Sequence, residues 1–304
     1  MTAPKNVAVS VRQRLLNHAR ETKSNFDEIL RRFAIERLLF RLGSSKYRER
    51  FVLKGATLFT LWGGGPHRPT QDLDLLGYGT NDFDELERVF REVVLLPEDD
   101  GLVFLADTVK ADRIREDQEY EGVRITLIAM LAGARIPMQV DVGFGDTVHP
   151  GPLEEVLPTL LPMEAPRLRA YPRETVIAEK LQAIVLLGEA NTRLKDYYDL
   201  WFLATHYSFS GEVLATAIRS TFERRRTAIP TGTPIGLTPS FCELPGKKTQ
   251  WQAFLRRAGL VDRDLGLAAL VETLAGFAMP VLVALRDEQP FTLVWTPAVG
   301  WTEK

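Results

Sequence analysis

Asp72-Leu73-Asp74-Leu75 leaves the chain few choices. From Thr70 to Leu76 polar and apolar residues alternate, which is the period of a half-buried strand and not of a helix. On such a strand residues two apart face the same way. Asp72 and Asp74 therefore project together while Leu73 and Leu75 face a core. The same alternation runs through 136–144, where Ile136, Met138, Val140, Val142 and Phe144 share one face and Gln139 and Asp141 the other. The chain must build a sheet with one apolar side and one side carrying carboxylates. With 45% hydrophobic and 26% charged residues it has the composition to bury a real core.

The pattern along the chain is α+β. Apolar residues recur at helical spacing over 10–42, with Ser24 or Asn25 as a cap ahead of Asp27 and Glu28, and again over 82–94. Residues 51–61 read as a strand end and a short helix, broken by Gly63-Gly64-Gly65-Pro66. Strands are expected over 102–106, 123–131 and 136–144, the last two joined by a hairpin turn at Ala132-Gly133-Ala134-Arg135. Prolines at 150, 152, 158, 162, 166 and 172 mark a connector. Helices are expected over 173–188, 193–206, 211–225, 249–258 and 264–285, with a long Pro/Gly-rich loop at 228–246. This predicts an α/β domain with N-terminal helices over 1–160 and a helical domain over 161–304, with the boundary near 150–170.

A net charge of −2 provides no global field for nucleic acid or an acidic membrane, so any such contact must come from local patches. The single cysteine, Cys242, cannot form an internal disulfide, and no Cys/His cluster has zinc spacing. This fits a reducing cytosol. Met1 to Val9 has no long apolar run, and no segment reads as the roughly 18 apolar residues a membrane span needs. The expectation is a cytoplasmic protein without a membrane partner. No repeat or low-complexity tract is evident.

Paired carboxylates on one strand repel unless a cation sits between them; at about 3.3 Å rise per residue they stand roughly 7 Å apart. Mg²⁺ supplies that charge and prefers oxygen ligands. The competing reading is a solvated strand face. Upstream, the Lys54-Gly55-Ala56-Thr57 turn suits a phosphate, since it offers backbone N–H groups and a cation, although a plain strand-to-helix turn explains it equally well. Downstream, Asp141 completes a three-carboxylate, two-metal site if its strand lies beside that of Asp72 and Asp74; otherwise it is an exposed strand position. Lys180, amid Val176, Ile177, Ala183 and Ile184, either snorkels to the edge of its helix or reaches a cleft and binds phosphate. Asp196 and Asp199 lie three apart on one helix side. Taken alone, they read as a surface salt-bridge network with Arg193 and Lys195.

Taken in order, these segments resemble the AbiEii/AbiGii family of nucleotidyltransferase-like toxins, which includes the mycobacterial toxins of the MenT type. The matching segments are Phe51-Val52-Leu53-Lys54-Gly55-Ala56-Thr57-Leu58, Arg68-Pro69-Thr70-Gln71-Asp72-Leu73-Asp74-Leu75 and Val140-Asp141-Val142-Gly143-Phe144-Gly145. In the second lobe they are Glu174-Thr175-Val176-Ile177-Ala178-Glu179-Lys180-Leu181 and Arg193-Leu194-Lys195-Asp196-Tyr197-Tyr198-Asp199-Leu200. The similarity runs from about residue 30 to 285, through Phe222-Glu223-Arg224-Arg225 and Trp251-Gln252-Ala253-Phe254-Leu255.

The resemblance implies a polymerase-β-like nucleotidyltransferase lobe with a mixed sheet, followed by an α-helical lobe. It implies NTP and Mg²⁺ (or Mn²⁺) as ligands and a toxin role beside a separately encoded antitoxin, often in phage defence. For MenT-like relatives it implies nucleotide transfer to the tRNA 3′ end or another RNA acceptor. Asp72 and Asp74 match the paired metal-binding aspartates and Asp141 the third carboxylate. Lys180, Asp196 and Asp199 match the second-lobe lysine and the aspartates after it, and Lys54, Gly55, Thr57 and Thr70 fall where nucleotide is handled. One departure matters: the usual Gly-Ser before the aspartates is here Gly55-Ala56-Thr57, which leaves open whether Thr57 replaces the hydroxyl and bears on triphosphate handling, not on the metal site.

Two rivals stand beside this reading. The same fold acting on a small-molecule hydroxyl would need no basic surface, whereas RNA would use one, with Arg219, Arg224, Arg225, Arg226, Lys247 and Lys248 as candidates. A non-catalytic module that binds nucleotide or a partner protein would bind NTP without turnover.

Overall fold

A computed structural model describes residues 6–63, 72–114, 122–260 and 265–303. The chain forms two compact units, residues 1–145 with 153–171 and residues 146–152 with 172–304.

The first unit opens with helices α1 (Val7–Glu21) and α2 (Phe26–Ser44). Asn25 caps α2, its side chain accepting from the Asp27 and Glu28 N–H groups, which satisfies donors that a helix start leaves unpaired. Strand β1 (Phe51–Lys54), helix α3 (Thr57–Gly63) and strand β2 (Leu73–Gly77) follow. Helix α4 (Phe83–Val94) is capped by Asp82, which accepts from Glu85 N–H, and buries a stripe of Leu86, Val89, Phe90 and Val93. The unit is completed by β3 (Val103–Arg113), β4 (Val123–Leu131), β5 (Ala134–Phe144), β6 (Leu153–Val156) and β7 (Arg167–Ala170). The β4–β5 turn holds Ala132 at φ 45° and Gly133 at φ 84°, the paired positive φ of a tight hairpin.

Seven strands form one sheet in the order β3-β4-β5-β2-β1-β7-β6. It is mixed: β2–β5 and β1–β7 are parallel, and the other neighbours are antiparallel. Leu73, Leu75, Val140, Val142, Val123 and Ile125 are buried on one face, where α2 and α4 pack. The opposite face carries the polar residues of the same strands. Behind the sheet lies a buried charge cluster. Asp100 receives Arg37 at 3.0 Å and Arg41 at 2.7 Å, and Glu36 accepts the Leu160 N–H at 2.8 Å. Burial pushes the Glu36 carboxyl up to about 7, against the pull of that hydrogen bond and of Arg37.

Strands β6 and β7 lie in what the sequence marks as a proline connector. Prolines flank these four-residue strands without entering them, a placement that a sheet border tolerates.

The second unit contains α5 (Arg173–Leu187), α6 (Leu194–His206), the short β8 (Phe209–Ser210), α7 (Gly211–Arg224), α8 (Pro239–Glu243), α9 (Lys247–Arg257), α10 (Leu267–Arg286), β9 (Val294–Thr296) and β10 (Gly300–Thr302). Helix α8 interrupts the expected 228–246 loop. Its proline sits at the first helical position, where the missing N–H costs nothing. Strands β8 to β10 form a three-stranded sheet, an element absent from the sequence reading.

Helix α10 also corrects the expectation that no segment is long and apolar enough to cross a membrane, since by length and composition it is. Glu272, Thr273 and Gly276 interrupt its apolar run without lowering the average enough to disqualify it. Leu270, Leu274, Phe277, Val281 and Leu285 are buried along one side, against α6, α7 and α8, and a core helix passes the same test.

Candidate functional site

The polar face of the first unit's sheet places four charged residues in one row. Lys54 on β1 is the register partner of Asp74 on β2. Asp74 is in turn the partner of Asp141 on β5, and Asp141 of Arg124 on β4. Direct partners in a sheet share a face at a strand spacing of about 4.8 Å. The row therefore reads cation, carboxylate, carboxylate, cation. Two adjacent carboxylates repel, and the flanking lysine and guanidinium offset that repulsion.

Asp141 is tightly held. Arg124 donates Nε to Oδ1 at 2.9 Å and Nη2 to Oδ2 at 2.8 Å. Gln139, two residues back on the same face, donates Nε2 to the same oxygens at 3.2 and 3.3 Å. Sequence reasoning did not single out Arg124. Its signal was a basic residue at a polar position of an alternating strand; only the register shows that it lies opposite Asp141.

Asp72 differs from the expectation. It sits in a bend just before β2, which begins at Leu73, and is half-buried. Strict strand alternation therefore does not by itself align it with Asp74. Thr70 lies outside the described residues.

Gly55 has φ +75°, and a Cβ built there would stand 2.0 Å from Asp74 Oδ2. Only glycine fits, both for the backbone conformation and for the close approach of the carboxylate. Thr57, which begins α3, is buried, and its hydroxyl has no hydrogen-bond partner among the described residues. A buried, unsatisfied hydroxyl keeps hydrogen-bonding capacity that water or a ligand can use.

Lys180, Asp196 and Asp199 come together in the second unit. Lys180 Nζ lies 2.6 Å from Asp196 and 2.8 Å from Asp199, and Arg193 lies 2.9 Å from Asp196. The aspartate side chains are 1% and 0% exposed, so the surface salt-bridge reading does not hold. Burial alone would raise the Asp196 carboxyl, but Lys180 and Arg193 outweigh it and hold the group below the ordinary carboxylate value. Lys180 does not snorkel; its ammonium is fixed between α5 and α6.

The proposed basic patch also thins. Arg225 pairs with Asp146 and Glu179, each at 3.0 Å. Lys247 is buried and donates to the Asn191 carbonyl at 2.6 Å. Arg219, Arg224, Arg226 and Lys248 remain exposed.

Residues 37–275 match the profile of the nucleotidyl transferase AbiEii toxin family of type IV toxin–antitoxin systems. The chain belongs to the AbiEii family. It is a nucleotidyltransferase of the toxin–antitoxin class, and a cognate antitoxin goes with that class. No curated protein matches the chain. Among solved structures, JHP933 from Helicobacter pylori shares 16% identity over 83% of this chain and 90% of its own, with a TM-score of 0.47. An H. pylori protein provisionally described as a nucleotidyltransferase shares 17% identity over 83% of this chain and 94% of its own, also at TM-score 0.47.

A divalent metal fits the AbiEii sheet face on two observations. The donors are hard carboxylate oxygens, Asp74 and Asp141 in register, and Gly55 gives the Asp74 carboxylate the space a Cβ would fill. Among the described residues no group of three or more His, Cys, Asp or Glu side chains is placed to hold a metal ion. Mg²⁺ does not require one, because it binds through one or two carboxylates and completes its shell with water and substrate phosphate.

Proposed function

We propose that this AbiEii protein transfers nucleotides from an NTP to an RNA acceptor, with tRNA 3′ ends as the acceptor class, in a Mg²⁺- or Mn²⁺-dependent reaction in the cytoplasm, as the toxic half of a phage-defence pair. The observation that carries it is the row Lys54, Asp74, Asp141, Arg124 on one sheet face.

Asp72, Asp74 and Asp141 would hold the metal. When bound, it neutralises the triphosphate and lowers the pKa of the attacking hydroxyl. Lys54 places a fixed positive charge beside Asp74, where phosphate charge collects. The Gly55 turn lets the nucleotide approach the backbone, and the Thr57 hydroxyl has hydrogen-bonding capacity to spare for it. The acceptor hydroxyl oxygen attacks the α-phosphorus, its proton passes to water, the bond to pyrophosphate breaks, and Asp141 lies beside Asp74 to orient that hydroxyl. In the second unit, Asp196 and Asp199 hold the Lys180 ammonium between α5 and α6.

The test is to incubate the protein with each radiolabelled NTP, Mg²⁺ and total tRNA. Label should enter tRNA with at least one NTP, and transfer should fall steeply with salt, as phosphate contacts require. No transfer with any NTP, or undiminished transfer by Asp74→Ala, rejects the proposal. Transfer that is insensitive to salt and supported by a small hydroxyl compound would redirect it to a small-molecule acceptor.

A further inference from the structure

The Arg124–Asp141 pair sits in the middle of the proposed site, yet Arg124 has no part in the function as derived so far. Its guanidinium covers both oxygens of the third carboxylate, at 2.9 and 2.8 Å. A single nitrogen, Gln139 Nε2, is shared between the same two oxygens at 3.2 and 3.3 Å. Both oxygens of Asp141 are thus engaged by donors, and a guanidinium stands where it opposes a second cation, although Asp141 lies directly beside Asp74.

The clamp borders water. The Arg124 side chain is 37% exposed and that of Asp141 19%, so the guanidinium can change partner without crossing the core. The planar fork of an arginine matches a phosphate as well as it matches a carboxylate. A nucleotide brings several phosphate oxygens, and more negative charge, to the same face.

We propose that Arg124 is a partner-switching residue. Without nucleotide it occupies Asp141; when an NTP binds, it exchanges that carboxylate for a phosphate of the nucleotide and leaves Asp141 open to a cation. The protein would then assemble its full metal set only with substrate present. This rests on the nucleotidyltransferase reading of the sheet face and adds an order of assembly to it.

The test reads metal binding directly, by electron paramagnetic resonance of free Mn²⁺ titrated against the full chain. Four proteins are compared: wild type, Arg124→Gln, Arg124→Lys and Arg124→Gln/Asp141→Asn. Each is measured alone and with each of the four NTP analogues carrying a non-hydrolysable α,β-imido link. Without nucleotide, Arg124→Gln should bind Mn²⁺ roughly tenfold more tightly than wild type, the scale on which a metal ligand's neighbours act. Arg124→Lys, which keeps the charge but not the fork, should fall between them. The double variant should lose the gain, which would assign it to Asp141. With an analogue present, wild type should match or exceed Arg124→Gln in Mn²⁺ affinity, and Arg124→Gln should bind the analogue more weakly.

Nucleotide-free Mn²⁺ affinity in Arg124→Gln that is equal to or below wild type overturns the switch, because an arginine that merely positions Asp141 would weaken the site when removed. That result leaves the parent reading intact if wild type still binds Mn²⁺ and analogue together and Asp74→Asn does not. If wild type and Asp74→Asn bind Mn²⁺ and analogue identically, the parent reading fails and the switch with it.

Discussion

The two units hold charge quartets of identical composition in opposite settings. On the first unit's sheet, Arg124, Asp141, Asp74 and Lys54 line up across four strands. In the second, Arg193, Asp196, Asp199 and Lys180 close on themselves between α5 and α6. Each has two carboxylates, one arginine and one lysine. The sheet quartet is half-exposed, includes a bare glycine against a carboxylate and lies near an orphaned hydroxyl. The helical quartet is sealed, and its ammonium is shared by two buried aspartates. Enclosure, more than residue type, separates a charge group that solvent reaches from one sealed between helices.

The sharpest way to break that contrast is Asp74→Asn. It should lower nucleotide transfer by about 10³-fold, since several kcal/mol of charge stabilisation are lost and each 1.36 kcal/mol is tenfold. Urea unfolding of the same variant should shift by no more than about 1 kcal/mol, as expected for a partly exposed position. A large loss of stability with activity retained would put the sheet quartet among the structural ones.

The mirror experiment is Asp199→Ala. Removing one partner of a buried ion pair leaves an uncompensated charge and costs about 3–5 kcal/mol, read as a lower urea midpoint. The remaining Asp196 gives this quartet an acid signature. Its folded pKa is depressed, so the stability it contributes is present above the ordinary value of 3.8 and is lost as pH falls through the folded pKa.

The sealed Glu36 cluster should behave in the opposite sense. Its folded pKa of about 7 lies above the ordinary 4.5. Stability from protonated Glu36 is therefore complete below about 4.5 and is lost as pH rises through about 7. The 2.5-unit difference between 7 and 4.5 corresponds to about 3 kcal/mol at most. Glu36→Gln should flatten the fall in stability of the wild type between pH 5 and pH 8, measured by urea unfolding at each pH. An unchanged slope would show that this carboxyl is not sealed and would weaken enclosure as the rule.

How legible each quartet was in the sequence follows from the same distinction. Alternation exposed Asp74 and Asp141 because a strand's period of two is local, and Asn25 announced its helix because capping is local too. Arg124 stayed hidden, since its importance lies in a strand register that joins residues 17 apart. Asp196 and Asp199 were legible as a pair but not as buried. A three-residue spacing fixes which side of a helix they share, while only α5, packed against that side, takes them out of water. The four-residue strands β6 and β7 carry too few residues to show a period, and their existence depends on β1 offering an edge.

The smallest expected effect concerns Thr57. Valine has nearly the shape of threonine without the hydroxyl, and that hydroxyl is buried with no partner among the described residues. Thr57→Val should therefore leave stability unchanged or raise it by up to about 1 kcal/mol, because an unsatisfied group is removed. If the hydroxyl is spare because it awaits a nucleotide, KM for NTP should rise about fivefold while kcat stays close to wild type, the effect of losing one hydrogen bond of about 1 kcal/mol. Steady-state kinetics and urea unfolding on one preparation separate the outcomes. Unchanged KM with raised stability would make the orphaned hydroxyl a packing defect, leaving the openness of the sheet quartet to rest on Gly55 and the exposure of Arg124 alone.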